Sequence, residues 1–388
     1  MLTTYQYRIK DSGKTGKTLT KMARAVNTVW NYAKATQRDA LKTRTGKIIS
    51  DKKTQQEISI PYFFSKFEMN NLVSGSSKEL GLHSQTVQAV AEEYVTKRIH
   101  TKKLLRWRSA RSLGWVPFKS SAVKIKSGKI TYNKHTFKFW NSRELPSDAD
   151  IKTGSFGQDK RGRWYVNVTF ESNELAIKRE DDKEIGIDIG IKTLATCSDG
   201  TKISRPNLRH GALVQIKNLK KCQKHAQKKQ SHTKKYVPLP KVKQERNLHA
   251  KIANKRKDYL HKESTKLVKK CSLIVVGDVP CKLMNRSKNL SGISLDSGIG
   301  MFKLFVRFKA ARASATYTEF SERNSTRTCS SCHMVWPRIG LGVREWSCEN
   351  CHVLHDRDTN AAQNILHAYR TTSPIGHNRL IHTTELTS

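Results

Sequence analysis

Four cysteines in two close pairs, Cys329-x2-Cys332 and Cys348-x2-Cys351, constrain this chain more than any other feature. Each CxxC turn aims two thiolates at one point. The fifteen residues between the pairs allow a hairpin that brings them together. The spacing predicts a closed tetrahedral zinc site, with an iron–sulfur cluster as the second choice. Four thiolates leave no open position for water, so the expected role is a structural staple. The other cysteines, Cys197, Cys222, Cys271 and Cys281, are scattered. That usage suits a reducing compartment with one metal site better than a disulfide framework.

Charge narrows the partners. The 388 residues include 73 Lys and Arg against 32 Asp and Glu, a net charge of +41. Such an excess repels itself unless a polyanion neutralises it, and a phosphate backbone does so while releasing counterions. Ribosome-like or chromatin-like packing and membrane-surface binding are the weaker alternatives. No run of 18 apolar residues offers a membrane span. The start, MLTTYQYRIKDSGK, lacks the apolar core of a signal peptide. The length predicts two to four compact units.

Periodicity places the elements. TTYQYRIK reads as a strand, followed by a Gly/Lys-rich turn. Met22, Val26, Val29, Trp30 and Ala33 recur at helical spacing. A polar connection is expected over about 36–60. A second helix is expected after Ser84 as N-cap, with Val87, Val90, Tyr94, Val95 and Ile99 on its apolar face. It runs into KRIHTKKLLRWRSAR, where Arg106 and Trp107 suit a nucleic-acid surface. From Gly114 the pattern turns to β: VKIKSGKITY, KHTFKFW, GSFGQD and GRWYVNVTFE, the last two joined near Arg161–Gly162. These suggest a small barrel closed by the first strand, and a boundary is expected within 172–183. Beyond it, IGIDIG and TLATCSDGTKI read as two strands. Residues 211–235 are very basic, through Lys220, Lys221, Lys224, Lys228, Lys229, Lys234 and Lys235, and Pro238 and Pro240 break the run. A long helix over about Gln244–Lys270 carries Leu248, Ile252, Tyr259, Leu267 and Val268, with Lys255, Arg256 and Lys257 as candidate nucleic-acid contacts. SLIVVGDV reads as a buried strand, MFKLFVRFKAARAS as a basic helix and ATYTEF as a further strand.

Two aspartates stand out. In IGIDIG, alternation sends Ile185, Ile187 and Ile189 to one face and Gly186, Asp188 and Gly190 to the other. A carboxylate in a strand centre is costly unless paired or bound to a cation. The flanking glycines leave room for a bulky partner such as a phosphate backbone. In DRDTNAAQNIL, Asp358 occupies the first turn of a helix whose apolar face is Ala361, Ala362, Ile365, Leu366 and Tyr369. Simple capping by Asp356 or Asp358 is the competing explanation.

Together these pieces resemble the TnpB family, transposon-encoded RNA-guided DNA endonucleases related to type V CRISPR effectors and Fanzor proteins. IGIDIGIKTLATCSDG resembles the first RuvC motif, and HAKIANKRKDYLHKESTKLVKKCSLIVVGDV the approach to the second. STRTCSSC, VREWSCENC and HDRDTNAAQNIL resemble the zinc module and the third motif. The resemblance is dense over 184–370 and thinner before 180, where VNTVWNYA, GWVPFKS and GRWYVNVTFE carry it. It implies an α/β multidomain chain. A wedge-like β-barrel would use 1–20 and 110–180, with a helical recognition insertion at 21–109. An RNase H-like (RuvC) nuclease domain would use 181–328 and 353–370, interrupted by the zinc module at 329–352, and a tail would follow at 371–388. It implies Asp188 and Asp358 as ligands of Mg2+ or Mn2+. The implied partners are a guide RNA from the transposon end (an omega, or right-end-element, RNA) and double-stranded target DNA beside a short motif. The compartment would be cytoplasmic in a prokaryote and nuclear in a eukaryote.

One departure matters. Many relatives end the second motif with Glu–Asp, and this chain has Gly277–Asp278. Strand alternation puts 277 and 278 on opposite faces. Glu322, in FSERNSTRTC, is the favoured replacement and Glu319 its rival. Asp278 through a bulged strand is the second possibility, and a disabled site the third. The implied mechanism is two-metal phosphodiester hydrolysis, with metals about 4 Å apart. Its alternative is a nuclease-inactive, RNA-guided DNA-binding repressor.

Overall fold

A computed structural model describes residues 2–42, 48–50, 57–59, 62–101, 105–174, 176–233, 240–278, 291–337, 340 and 342–372. Cys281, Lys234, Lys235, Pro238 and the tail from 373 lie outside them. The chain splits between residues 175 and 176 into two compact units.

In the first unit, β1 (Leu2–Arg8) leads into α1 (Gly13–Lys42). The apolar stripe of α1 continues past Ala33 through the buried Gln37 and Ala40. The helix therefore takes the first seven residues of the expected polar connection. The rest of that connection holds a two-stranded pair, β2 (Ile48–Ser50) and β3 (Glu57–Ser59). After α2 (Lys66–Val73) and α3 (Ser77–Leu80) comes α4 (Ser84–Thr101). Ser84 is its first helical residue rather than its cap; the ring Nδ1 of His83 accepts from Gln85 N at 3.3 Å. Ile99 is 58% exposed, because the buried stripe drifts from Val95 to Arg98. Arg98 is held there by Gln37 and by Phe64 O.

Strands β4 (Trp115–Lys119), β5 (Val123–Lys126), β6 (Lys129–Tyr132), β7 (His135–Lys138), β8 (Asp150–Gln158) and β9 (Trp164–Glu171) follow. They form two ladders, β1-β9-β8-β4 and β5-β6-β7. An isolated bridge, Ile9↔Phe139, joins the end of β1 to the end of β7. One core serves both ladders and the helices, with Tyr7, Trp30, Tyr94, Phe118, Tyr132, Phe156, Trp164 and Phe170 buried in it.

The second unit is a five-stranded sheet with helices. Its strands are β10 (Lys183–Asp188), β11 (Thr193–Cys197), β12 (Lys202–Ser204), then β13 (Cys271–Gly277) and β14 (Thr316–Phe320), in the order β12-β11-β10-β13-β14. The first three pair antiparallel; β13 and β14 add in parallel. TLATCSDGTKI is therefore two strands, because Ser198–Gly200 forms a tight turn with Gly200 N bonded to Cys197 O at 2.9 Å.

Helices α5 (Leu208–Gly211), α6 (Leu213–Thr233) and α7 (Val242–Lys269) connect β12 to β13. Next come α8 (Ser291–Ser297) and α9 (Ile299–Arg312). Leu260, Leu267 and Val268 of α7 and Phe302, Val306 and Ala310 of α9 pack with Ile185, Ile187 and Ile189 in one core. After β14 come the cysteine module, with β15 (Glu345–Ser347) paired to β16 (Leu354–Asp356), and α10 (Arg357–Thr372). Ile365 and Leu366 of α10 cover Val275. The sheet thus has α7 and α9 packed in one core and α10 in another.

Candidate active site and cysteine centre

Three parallel strands end side by side. Ile187 pairs with Val276 across β10–β13, and Gly277 pairs with Phe320 across β13–β14. Asp188, Gly277 and the exit of β14 therefore lie level at the carboxyl edge of the sheet. In α/β sheets that edge is where ligands bind.

The fourth contributor comes from α10. Gly186 permits its approach: an added Cβ would collide with Ala362 O and lie 2.9 Å from Leu366 Cβ. This corrects the expectation that the glycines around Asp188 leave room for a phosphate. The chain itself fills the space, with α10 at Gly186 and Thr193 O at Gly190. Helix capping falls to Asp356, whose Oδ1 accepts from Thr359 N and Thr359 Oγ1, both at 2.9 Å. Asp358 is thereby released from capping, and its carboxylate meets Arg344 Nη1 at 3.2 and 3.3 Å.

Glu322 completes the group. An added Cβ at Gly277 would overlap its Oε1 and lie 2.6 Å from its Cδ and Cγ. The Glu322 carboxylate therefore fills the space into which a residue-277 side chain would project. Its Oε1 is buried without a hydrogen-bond partner. Glu319 is differently placed: Lys303 Nζ lies 2.6 Å from its Oε2, and Tyr317 Oη donates to its Oε1 at 2.9 Å. Asp278 is exposed just beyond β13, its backbone N–H bonded to Phe320 O at 2.8 Å.

The electrostatics match this crowding. Burial, then the charges of Glu322 and Asp358, push the Asp188 carboxyl up to about 7, against the pull of Arg357 and Arg344. Burial likewise pushes Glu322 up to about 7; Lys303 opposes the rise and Asp278 adds to it. Clustered acids with an orphaned buried oxygen fit a hard divalent cation, whose charge removes the conflict. Among the described residues, though, only the four cysteines have all their ligand atoms within 4.8 Å of one another.

The cysteine centre fits a tetrahedral thiolate ion such as zinc. Cys329 and Cys351 Sγ are 3.6 Å apart, as are Cys332 and Cys348 Sγ. Each pair sits in a matching turn, with His333 N bonded to Cys329 O at 2.9 Å and His352 N to Cys348 O at 2.7 Å. Both histidines adopt left-handed backbone, at φ 60° and 58°. The β15–β16 hairpin wraps the second pair instead of bridging the two pairs as expected. The first pair is closed by its own bridge, Thr328↔Val335. Buried His355, with Nε2 3.0 Å from Cys329 Sγ, went unnoticed in the sequence. Its place four residues after Cys351 was the available signal. Arg344 and Lys303 carried no signal in so basic a chain.

The candidate nucleic-acid contacts divide. Lys255 and Lys257 are exposed on α7. Arg256 is committed elsewhere: its Nη2 lies 2.5 Å from Oδ1 of the buried Asp296, and its Nε donates to Asp296 O at 2.7 Å. It is a strut to α8, which corrects its reading as a free cation. In the first unit Arg106 is exposed, and its carbonyl accepts from Trp30 Nε1 at 3.2 Å. Trp107 is 47% exposed, with Lys34 Nζ 4.3 Å and Arg38 Cζ 5.5 Å from its ring centre.

Residues 167–288 match a family described as "Probable transposase", and residues 300–365 match the "Cas12f1-like, TNB domain" family. A "Putative RNA-guided DNA endonuclease" of Streptomyces pristinaespiralis is 28% identical over 80% of this chain and 75% of its own length. The "Putative RNA-guided DNA endonuclease InsQ" of Escherichia coli K12 is 27% identical over 60% of this chain and 59% of its own. A TnpB-like protein of Acanthamoeba polyphaga mimivirus, L79, is 30% identical over 31% of this chain and 24% of its own. The resemblance to the TnpB family is borne out. The fold is similar to that of a chain in a solved Cas12f1–sgRNA–target DNA complex, at TM-score 0.58 and 12% identity, over 92% of this chain and 83% of that one. No described helix of this chain is long and apolar enough to cross a membrane.

Proposed function

We propose that this protein is an RNA-guided DNA endonuclease whose second unit is an RNase H-like, RuvC-type nuclease using Asp188, Glu322 and Asp358. The observation that carries the reading is the half-buried Glu322 carboxylate, seated over Gly277 with its Oε1 buried and unpartnered, level with Asp188. The sheet order, three antiparallel strands followed by two parallel ones, supports the nuclease fold. The β ladders and helices of the first unit would serve as a wedge and recognition lobe, with Trp107 and its cations stacking on bases.

Asp188, Glu322 and Asp358 would hold Mg2+ or Mn2+, and the cysteines a structural zinc. The divalent ions would supply water activation and leaving-group stabilisation at a scissile phosphate. The chain's own share is positional. β10 and the exit of β14 fix two carboxylates on one edge. The Asp356 cap releases Asp358 from the helix end, where it would take the third place. Arg344 meanwhile gives Asp358 a cationic partner from the cysteine module. A guide RNA from the transposon end would select the target, next to a short motif in the DNA.

The test starts from the full-length protein purified with its RNA. Sequencing should find one structured species with a variable 3′ end. Target plasmid should be cut with Mg2+, and Glu322→Gln should lose cutting while keeping the RNA. Undiminished cutting by Glu322→Gln overturns the site. Guided binding without any cutting by the parental protein returns the repressor.

A further inference from the structure

Two glutamates three residues apart have opposite surroundings. Glu322 is half-buried with an orphaned oxygen, while Glu319 is satisfied by Lys303 and Tyr317. The cation between them is unusual. Lys303, on α9, is 8% exposed, and its Nζ also donates to Gly277 O at 3.2 Å. It therefore reaches the residue over which the Glu322 carboxylate is seated, and its charge acts on Glu322. Removing the carboxylate of a buried ion pair leaves a costly uncompensated charge. Glu319 supplies the counter-charge to Lys303; without Glu319, Glu322 is the carboxylate whose charge Lys303 already feels.

We propose that Glu319 is a positioning residue. By holding the Lys303 ammonium it keeps that cation off Glu322, whose carboxylate stays free for a divalent ion. The idea rests on the assignment of Glu322 to the metal site. It also gives Glu319 a task that does not require it to be a ligand. The pair turns a potential competitor into an anchor: Lys303 fixes the end of β13 through Gly277 O while its charge is spent on Glu319.

The probe is Mn2+ itself, titrated into full-length, zinc-loaded protein freed of nucleic acid, with free Mn2+ read by electron paramagnetic resonance. Glu319→Gln should weaken Mn2+ binding about tenfold or more, because Lys303 turns to Glu322. Adding Lys303→Met should restore binding to within about threefold of the parental protein. Thermal unfolding of each variant separates the roles: a purely structural pair would lose stability in step with Mn2+ binding, whereas a positioning pair loses binding at unchanged stability. Parental-like binding by Glu319→Gln, or a double variant no better than that single one, overturns the proposal. Asp188→Asn and Asp358→Asn separate the two levels. If they abolish Mn2+ binding while the Glu319 result is flat, only the positioning role falls. If they leave binding intact, the site assignment falls and this inference with it.

Discussion

At position 277 a hydrogen atom does what a side chain would prevent. Gly277→Ala should displace Glu322 and cut DNA cleavage about a hundredfold or more, as misplacement by an ångström does. RNA binding should stay unchanged in a filter assay. Gly277→Glu should be as damaging alone, since its stem would occupy the Glu322 socket, whereas combining it with Glu322→Ala should recover part of the lost activity. Failure of that swap would mean that position 277 cannot host a ligand in this backbone. Strand alternation put residues 277 and 278 on opposite faces, and the family resemblance, with its missing glutamate, pointed to Glu322 after a neighbouring strand. The socket itself was not legible, because it depends on the register of three strands that are far apart in the chain. Lys303 and Arg344 were invisible for a related reason. Each is one cation among 73, distinguished only by the carboxylate it meets across the fold.

Elements with local signals were the readable ones. The apolar run of β13, the stripe of α7 and the paired cysteines all sit in short windows of sequence. Ile99 was misplaced because helical drift depends on which neighbour α4 packs against. The cysteine module adjoins the proposed site without adding a carboxylate ligand to it. It carries Arg344 and, through β16, delivers Asp356 to cap α10 and Asp358 to its first turn. Stripping zinc, or Cys348→Ser, should therefore abolish cleavage while the far-ultraviolet circular dichroism stays largely native. Full activity without zinc would show that α10 is held by the sheet alone. The α7–α9 contact offers a pH test. Buried Lys309 donates to His261 O, Ser264 Oγ and Thr265 Oγ1, and burial, with Arg312 adding to it, lowers its ammonium to about 8. The folded pKa lies below the unfolded one, so the unfolded chain binds more protons between about pH 8 and 10.5. Stability from this group must rise with pH across that window. The stability of the parental protein relative to Lys309→Met should shift in its favour by about 1–3 kcal/mol from pH 7 to pH 10, read by denaturant melts.

For the molecule as a whole, a net charge of +41 is a standing repulsion that a polyanion relieves. Binding RNA should raise the melting temperature, and the gain should shrink as salt rises. The separate uses of neighbouring cations on α7 sharpen this into a contrast. Lys255 and Lys257 face solvent, while Arg256 is locked to Asp296, which is 4% exposed and also accepts from Arg209 N at 3.0 Å. Removing the two lysines takes away only long-range attraction. Lys255→Gln with Lys257→Gln should weaken RNA binding and flatten its dependence on log salt by roughly one per lysine, with no change in unfolding. Arg256→Ala should do the reverse. It leaves a buried carboxylate without its cation, costing about 3 kcal/mol of stability, and the salt slope of RNA binding should hold. If instead Arg256→Ala flattens the slope and leaves the melt untouched, the guanidinium serves the nucleic acid and the strut to α8 is incidental. Three adjacent residues on one helix thus divide into two exposed charges offered to solvent and one that holds the fold.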